Sequence, residues 1–300
     1  MKSTLFATTA ALGLLALSQS ALAAPPDMGM VQANIGYGWT DDNFNGHLFD
    51  DPFDFGARTQ WLFPLSAPIH LQGDLFVEQM DNVFPSYLWG KSDSTLFGGT
   101  AHVIRPMEHG RIGVAGSIFN VDVFASKLAK GVNYGLVALE GQYFSEHWTF
   151  FAQGGWFGDM TGCDGLEGCV HNGVFLRGNA RHFIDPNTAV SFDGQLFWGD
   201  DEFFGATSGG SARLEGEHKF ADSRFSGFVG VSYEEQTVDV LGGSAQEETV
   251  TIDLGIRMYI DQLTLFDFSQ VGPSMNTPTF HNALSTEGTL QAEAALLSPP

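Results

Sequence analysis

The sequence predicts an all-β fold, a transmembrane, antiparallel, up-and-down β-barrel of about 12 strands. Apolar and polar residues alternate over segments of about ten residues, which is the length that a tilted strand needs to cross a bilayer. The connections between these segments alternate between long and short, as in barrels with long loops on one side of a membrane and tight turns on the other. Aromatic residues recur near the segment ends, where interfacial girdles lie.

The alternation places the strands at residues 30–40, 55–63, 69–78, 95–104, 111–120, 132–144, 148–157, 174–184, 189–198, 211–220, 225–233 and 249–260. The last segment shows the pattern most clearly, because every even position from 250 to 260 is apolar, whereas Asp253 and Arg257 occupy odd positions. A period of two puts these sets on opposite faces of a strand. We expect this strand to close the barrel against 30–40.

The predicted connections follow a strict order. The long ones are 41–54, 79–94, 121–131, 158–173, 199–210 and 234–248, and the short ones are 64–68, 105–110, 145–147, 185–188 and 221–224. A soluble β-sandwich is the alternative, since it also contains alternating strands. It does not readily produce this order of long and short connections, so the barrel is the favoured interpretation.

The chain is expected to have three parts. Residues 1–23 read as an export signal peptide, with the basic Lys2, an apolar centre and a cleavage site that ends at Ala23. Residues 24–260 form the predicted barrel. Residues 261–300 have four acidic residues, no Lys or Arg and no long alternating pattern, and we expect a loosely attached periplasmic C-terminal extension there. Plugging of the barrel, anchoring to a periplasmic partner and disorder stay open for this segment.

The charge balance narrows the possible functions. The chain has 35 acidic and 13 basic residues, a net charge of −22, which argues against nucleic acid as a partner because phosphate binding needs clustered Lys and Arg. The 27 phenylalanines argue against disorder. Much of the acid falls in the long connections, where it would concentrate cations at one mouth of the barrel.

Parity assigns a set of charged residues to the inside of the barrel, since a charge that faces lipid at mid-depth costs about 2–4 kcal/mol. The candidate constriction residues are Arg177, Arg181, Asp193, Arg213, Glu215 and Glu217. Other lumen residues are Arg58, Asp74, Arg111, Glu140, Asp253 and Arg257. One interpretation is a charged constriction that filters solutes. The other is a structural ladder that fills a narrow lumen.

Two further motifs lie in the long connections. Cys163 and Cys169 are expected to form a loop-closing disulfide in an exported protein, and a metal site is the alternative. Asp41, Asn43 and Asn45 match the start of a calcium loop, but a proline stands where the closing glutamate belongs. No other cofactor is indicated. The nine histidines form no recognisable catalytic pattern, so we do not expect an enzyme.

The signal peptide, the twelve alternating segments and the closing LGIRMYI resemble the porin-like outer-membrane β-barrel proteins of Gram-negative bacteria. The resemblance implies a cell outer membrane location, insertion by the barrel-assembly machinery, contact with outer-membrane lipid and lipopolysaccharide, and passive diffusion of small hydrophilic solutes. With the acidic connections, we expect a channel that prefers cations. A closed barrel with a structural or surface-interaction role is the alternative, and a monomer or a homo-oligomer up to a trimer both fit.

Overall fold

Twelve antiparallel strands form one closed barrel, in which each strand pairs with the next and β12 pairs with β1. The computed structural model describes residues 28–42, 53–66, 68–84, 92–125, 128–161, 169–201, 205–240, 243–261, 263–278, 280 and 284. The strands are β1 Met28–Asp42, β2 Phe53–Ser66, β3 Ile69–Phe84, β4 Ser92–Met107, β5 Gly110–Ala125, β6 Leu128–Phe144, β7 Trp148–Thr161, β8 Val170–Asp185, β9 Thr188–Asp201, β10 Gly205–Lys219, β11 Phe225–Val240 and β12 Gly243–Tyr259. The predicted fold class is confirmed.

The register carries the period of two from strand to strand. Leu254 of β12 lies opposite Ile35 of β1 and Val229 of β11, and all three are exposed on the outside of the barrel. Asp253, one position earlier, is buried inside. The closure of the barrel by β12 against β1 therefore follows the prediction.

An apolar belt surrounds the barrel. The apolar side chains exposed on its outside include Leu75, Ile112, Val114, Ile118, Val137, Leu139, Leu176, Phe192, Leu196, Leu214, Val231, Val250, Ile252 and Ile256. The period of two on β3 predicts that Val77 also faces outward, but Val77 is buried. Exposed Trp39, Trp156 and Trp198 lie near strand ends, as expected of an interfacial girdle. A belt of this extent needs lipid as its surroundings.

The strands are longer than predicted, and the difference falls at one end of the barrel. At the turn end, which carries 108–109, 145–147 and 186–187, strand boundaries lie close to the predicted ones. At the opposite loop end, β5 and β6 are separated only by 126–127, and β11 and β12 only by 241–242. Lipid imposes the apolar and polar alternation only across the bilayer. Beyond it the outer face of a strand meets water and can carry polar side chains, so pairing continues without that signature.

The tail after β12 begins at the turn end. Its helix α1, Leu265–Val271, is capped by Thr264, whose side chain accepts from the Asp267 amide at 3.1 Å. The Phe266 amide donates to the Pro186 carbonyl in the β8–β9 turn at 3.1 Å. No helix in the described part of the chain is long and apolar enough to cross a membrane.

Beyond α1 the tail lies inside the barrel. Met275 packs with Leu62, Ile104 and Phe151, and Leu284 packs with apolar residues near the loop end. Residues 263–278, 280 and 284 therefore occupy the mouth and the lumen, which differs from the loosely attached periplasmic extension favoured for 261–300. The physical reason is that this segment buries single apolar side chains in separate pockets, and such a pattern has no regular period. The predicted signal peptide lies outside the described residues.

Leu139 tests the depth of the belt, because it projects outward from β6 with 70% of its surface exposed. We expect Leu139→Arg to lower the free energy of unfolding by about 2–4 kcal/mol, since it places a charge in the apolar middle of the bilayer. Met107→Arg, at the turn end of β4, is the matched change and should cost about 0–1 kcal/mol. Urea unfolding in lipid vesicles measures both, and equal losses would contradict the proposed position of the belt.

Candidate functional site

The lumen has two different sides. The tail fills one side, and a polar cavity of ≈ 320 Å³ lies beside it, lined in part by Arg58, Arg177 and Asn276. A second cavity of ≈ 170 Å³ continues toward the loop end. Both cavities are lined by Arg213 and Asp253, so this ion pair borders each of them.

A network of ion pairs covers the wall of the cavity on β8, β10 and β12. Odd positions of these strands face inward, which brings their arginines and carboxylates to one surface. The Arg257 guanidinium donates to both Glu215 oxygens at 2.7 and 3.0 Å and also binds Glu217. Arg181 Nη2 donates to Glu217 Oε2 at 2.7 Å. Charge-assisted bonds of this kind are the stronger ones, and here every guanidinium meets a carboxylate.

The network crosses the intervening strands where these have small residues. Arg213 on β10 pairs with Asp253 on β12, with Nη2 and Oδ2 at 2.6 Å, although β11 lies between them. Gly230 of β11 makes this possible, because a Cβ at that position would lie 2.7 Å from the Arg213 Cζ and 2.9 Å from Asp253 Oδ1. A side chain at 230 would thus displace the ion pair that borders both cavities.

A second, separate pair lies on β8 and β9. Arg177 binds Asp193 through Nε at 3.1 Å and Nη2 at 2.9 Å, and Asn179 Nδ2 donates to the same carboxylate at 3.3 Å. All six predicted constriction residues therefore face the lumen. They do not form one ring, because Arg177 and Asp193 pair with each other, whereas the other four join Asp253 and Arg257 in the network.

The wall opposite the ion-pair network contains a buried histidine, His102 of β4, that contacts two carboxylates. His102 Nδ1 lies 2.9 Å from Glu140 Oε1, and Nε2 lies 3.3 Å from Asp74 Oδ2. Gln60 and Gln153 donate to Asp74 and Glu140 at 3.1 and 3.0 Å. Sequence reasoning assigned Asp74 and Glu140 to the lumen but missed His102. Its even position on β4 indicates that it faces inward, and this was the available signal. Which residues it contacts depends on the register of the neighbouring strands.

The wall under the tail binds the tail's main chain. Arg111, one of the predicted lumen residues, donates to the carbonyls of Gln270 and Gly272. Arg177 Nη1 donates to the Asn276 carbonyl at 3.1 Å, and Arg58 Nη2 lies 3.5 Å from the Thr277 carbonyl. The cations that sequence analysis placed in the lumen thus have two roles, since some bind wall carboxylates and some bind the tail.

The predicted disulfide and calcium residues lie largely outside the described part of the chain. Cys163, Asn43 and Asn45 are not described, and Asp41 is exposed at the loop end of β1. Cys169 is buried, with its Sγ 3.2 Å from Tyr134 Oη. Among the described residues there is no free cysteine and no cluster of three metal-ligating side chains. The disulfide and the calcium site stay predictions.

Glu217 tests how much the ion-pair network stabilises the barrel, because it also accepts from Tyr259 Oη at 2.6 Å. Glu217→Gln leaves Arg181 and Arg257 with less negative charge in a confined site, so we expect the free energy of unfolding to fall by about 3 kcal/mol. The control is Glu108→Gln in the exposed β4–β5 turn, which should change it by less than about 0.5 kcal/mol. Unchanged urea unfolding of the Glu217 variant would show that the network is not needed for stability.

Comparisons with known proteins support the fold. No family model matches the chain, and no curated protein matches it. Among solved structures, a crystal structure of an outer membrane channel from Pseudomonas putida F1 has a TM-score of 0.57 at 12% identity, over 79% of this chain and 97% of that one.

Two further structures have lower scores. They are the KdgM porin in complex with disordered oligogalacturonate, with TM-score 0.43, 10% identity and coverage of 76% of this chain and 98% of that one, and the P. putida toluene transporter TodX, with TM-score 0.43, 7% identity and coverage of 81% and 91%. Only the similarity to the P. putida F1 channel is strong enough to support a conclusion, and at 12% identity that conclusion is the fold alone. The chain has the fold of porin-like outer-membrane β-barrels, as its sequence predicted, and together with the apolar belt this fold places it in the outer membrane.

Proposed function

We propose that this protein is an outer-membrane channel for the passive diffusion of small hydrophilic solutes, and that it prefers cations. The observation that carries the proposal is the polar cavity that runs beside the tail. Its two parts, of ≈ 320 and ≈ 170 Å³, are both lined by Arg213 and Asp253, and their linings extend from α1 toward the loop end. A lumen lined by charged side chains selects solutes by size and charge.

The dimensions support small solutes. Ligand pockets that hold drug-sized molecules have volumes of roughly 300–1,000 Å³, and the larger part of this cavity lies at the lower limit of that range. The lining favours hydrophilic solutes, because Gln195, Ser211 and Ser232 stand among the charged residues. Ions and small hydrated molecules fit such a path.

The cation preference rests on the part of the cavity nearest the loop end. Asp54, Glu78, Glu234 and Glu247 line it, and Arg213 is the basic residue of its described lining. The excess of acid there agrees with the net charge of −22 of the whole chain. We call this part of the cavity the vestibule. Its negative charge raises the local concentration of cations and lowers that of anions.

A closed barrel with a structural or surface-interaction role is the second candidate. The observation that favours it is the tail, whose Met275, Phe280 and Leu284 are buried inside the lumen. In that case contacts made at the loop end would carry the function. Lipopolysaccharide contact, assembly by the barrel machinery and a homo-oligomer are proposed for either candidate.

Conductance of the full chain in a planar lipid bilayer distinguishes the two. We expect stable steps and a cation-to-anion permeability ratio above one. Glu234→Gln combined with Glu247→Gln should lower that ratio about threefold, because both carboxylates line the negative vestibule. The matched control is Glu248→Gln, which alters an outward-facing carboxylate next to Glu247 and should leave the ratio unchanged.

Correctly folded barrels that give no current would contradict the channel and favour the closed barrel. Folding is checked on the same sample by the urea transition. If the double variant conducts with an unaltered permeability ratio, the proposal of a channel stands, but the carboxylates of the vestibule do not set its ion preference.

A further inference from the structure

The barrel holds its tail mainly by the main chain. Over residues 270–277, carbonyls of five residues accept hydrogen bonds from wall side chains: Gln270 and Gly272 from Arg111, Met275 from Gln60 and Gln72, Asn276 from Arg177, and Thr277 from Arg58. These donors come from β2, β3, β5 and β8. A polypeptide that enters a confined lumen needs such partners, because a buried main-chain group without one costs free energy.

Gln72 contributes a part of this recognition that does not depend on the tail's side chains. Its side-chain amide donates to the Met275 carbonyl at 2.5 Å, and its Oε1 accepts from the Met275 amide at 3.4 Å. The wall side chain thus pairs with the main-chain N–H and C=O of one residue, as a neighbouring strand would. Any extended backbone presents the same two groups.

Two apolar pockets add a preference for particular side chains. Met275 enters the pocket of Leu62, Ile104 and Phe151. Phe280 stacks on Phe157 with ring centroids 4.9 Å apart.

The second pocket is completed by Phe175 and Phe197, whose ring centroids lie 5.5 and 5.7 Å from that of Phe280. The two anchors are five positions apart, and residues 268–284 contain no Asp, Glu, Lys or Arg. The site therefore fits an extended, uncharged peptide with two large apolar side chains at this spacing.

The tail takes no part in closing the barrel. The closed order of twelve strands is complete through the β1–β12 pairing, and the described tail residues belong to no strand of it. Beyond residue 264 the described contacts of the tail with the barrel are bonds with wall side chains, apolar packing and one main-chain bond, from the Phe266 amide to the Pro186 carbonyl in the β8–β9 turn. The tail can therefore leave without breaking a strand ladder.

We propose that Arg58, Gln60, Gln72, Arg111 and Arg177, together with the two apolar pockets, form a peptide-binding site, in which Arg111 binds the C-terminal carbonyls of a short helical turn and the other side chains bind the extended segment that follows it. The tail of this chain occupies the site in the resting protein, and a separate uncharged peptide with the same two anchors replaces it when the tail is released. The site lies in the lumen of the proposed channel and adds a ligand class to it, but peptide binding does not require that the barrel conducts.

The test uses the full chain with a protease cleavage sequence inserted after residue 262, folded in detergent micelles and then cut. A fluorescent synthetic peptide of residues 268–284, the uncharged stretch that carries both anchors, is added in excess, and its anisotropy reports binding. We expect binding to the cut protein at least about tenfold tighter than to the uncut protein, in which the attached tail competes at an effective concentration of about millimolar. Failure of the peptide to exchange into the cut protein within a day would overturn the proposal.

Variants separate specific binding from adsorption to the barrel. Arg111→Gln should weaken the binding of the labelled peptide about tenfold, because it removes charge-assisted bonds to two carbonyls. Arg105→Gln is the matched control, because this arginine is exposed on the outside of β4, and it should change nothing. Equal binding to both variants would overturn the assignment of the site.

Peptide variants test the anchors. Serine at the positions of both Met275 and Phe280 should weaken binding at least about tenfold, as expected from the loss of two buried apolar side chains. Undiminished binding of that peptide would refute the anchor pockets. A barrel that binds the peptide but gives no current refutes the channel alone, and one that conducts but does not bind refutes this inference alone.

Discussion

The pairing of β12 with β1 is the constraint on which the rest of the structure depends. Closure removes every strand edge, so each strand residue has only two environments, the lipid outside or the lumen inside. The outside accepts apolar side chains only, and Leu254 and Ile35 meet that requirement on either side of the closing ladder. The charged side chains at mid-depth of the described wall therefore face inward, where they must be compensated within a narrow space.

The alternation of inward and outward side chains along each strand therefore made much of this molecule predictable. The number of strands, their pairing and the inward position of residues such as Arg213, Glu215 and Asp253 all follow from a period of two. The strand ends at the loop end do not, because outward side chains such as Glu248 meet water there and can be polar, so the sequence no longer alternates between apolar and polar residues. His102 was missed for a different reason, since it meets Asp74 and Glu140 only through the register of β3 to β6, which local sequence does not specify.

The tail was the least predictable part. A strand is recognised in a sequence by alternating apolar and polar residues, and a helix by a period of 3.6 residues. An extended segment bound through its carbonyls shows neither, because the groups that hold Gly272 and Asn276 in place are present in every residue. Only the separate apolar residues Met275 and Phe280 carry information, and a spacing of five has no meaning until the pockets that receive them are known.

The arginines on the two sides of the lumen are compensated by different groups. Arg181, Arg213 and Arg257 meet carboxylates of the wall, whereas Arg111 meets carbonyl dipoles of the tail and Arg177 meets both. Departure of the tail would widen the lumen and at the same time expose the Arg111 guanidinium to the solute path. Pore size and pore charge are therefore coupled through one segment. In the proposed channel, the carboxylates at the loop end would set the charge of the path while the tail is bound, and the arginines of the opposite wall would oppose them after its release.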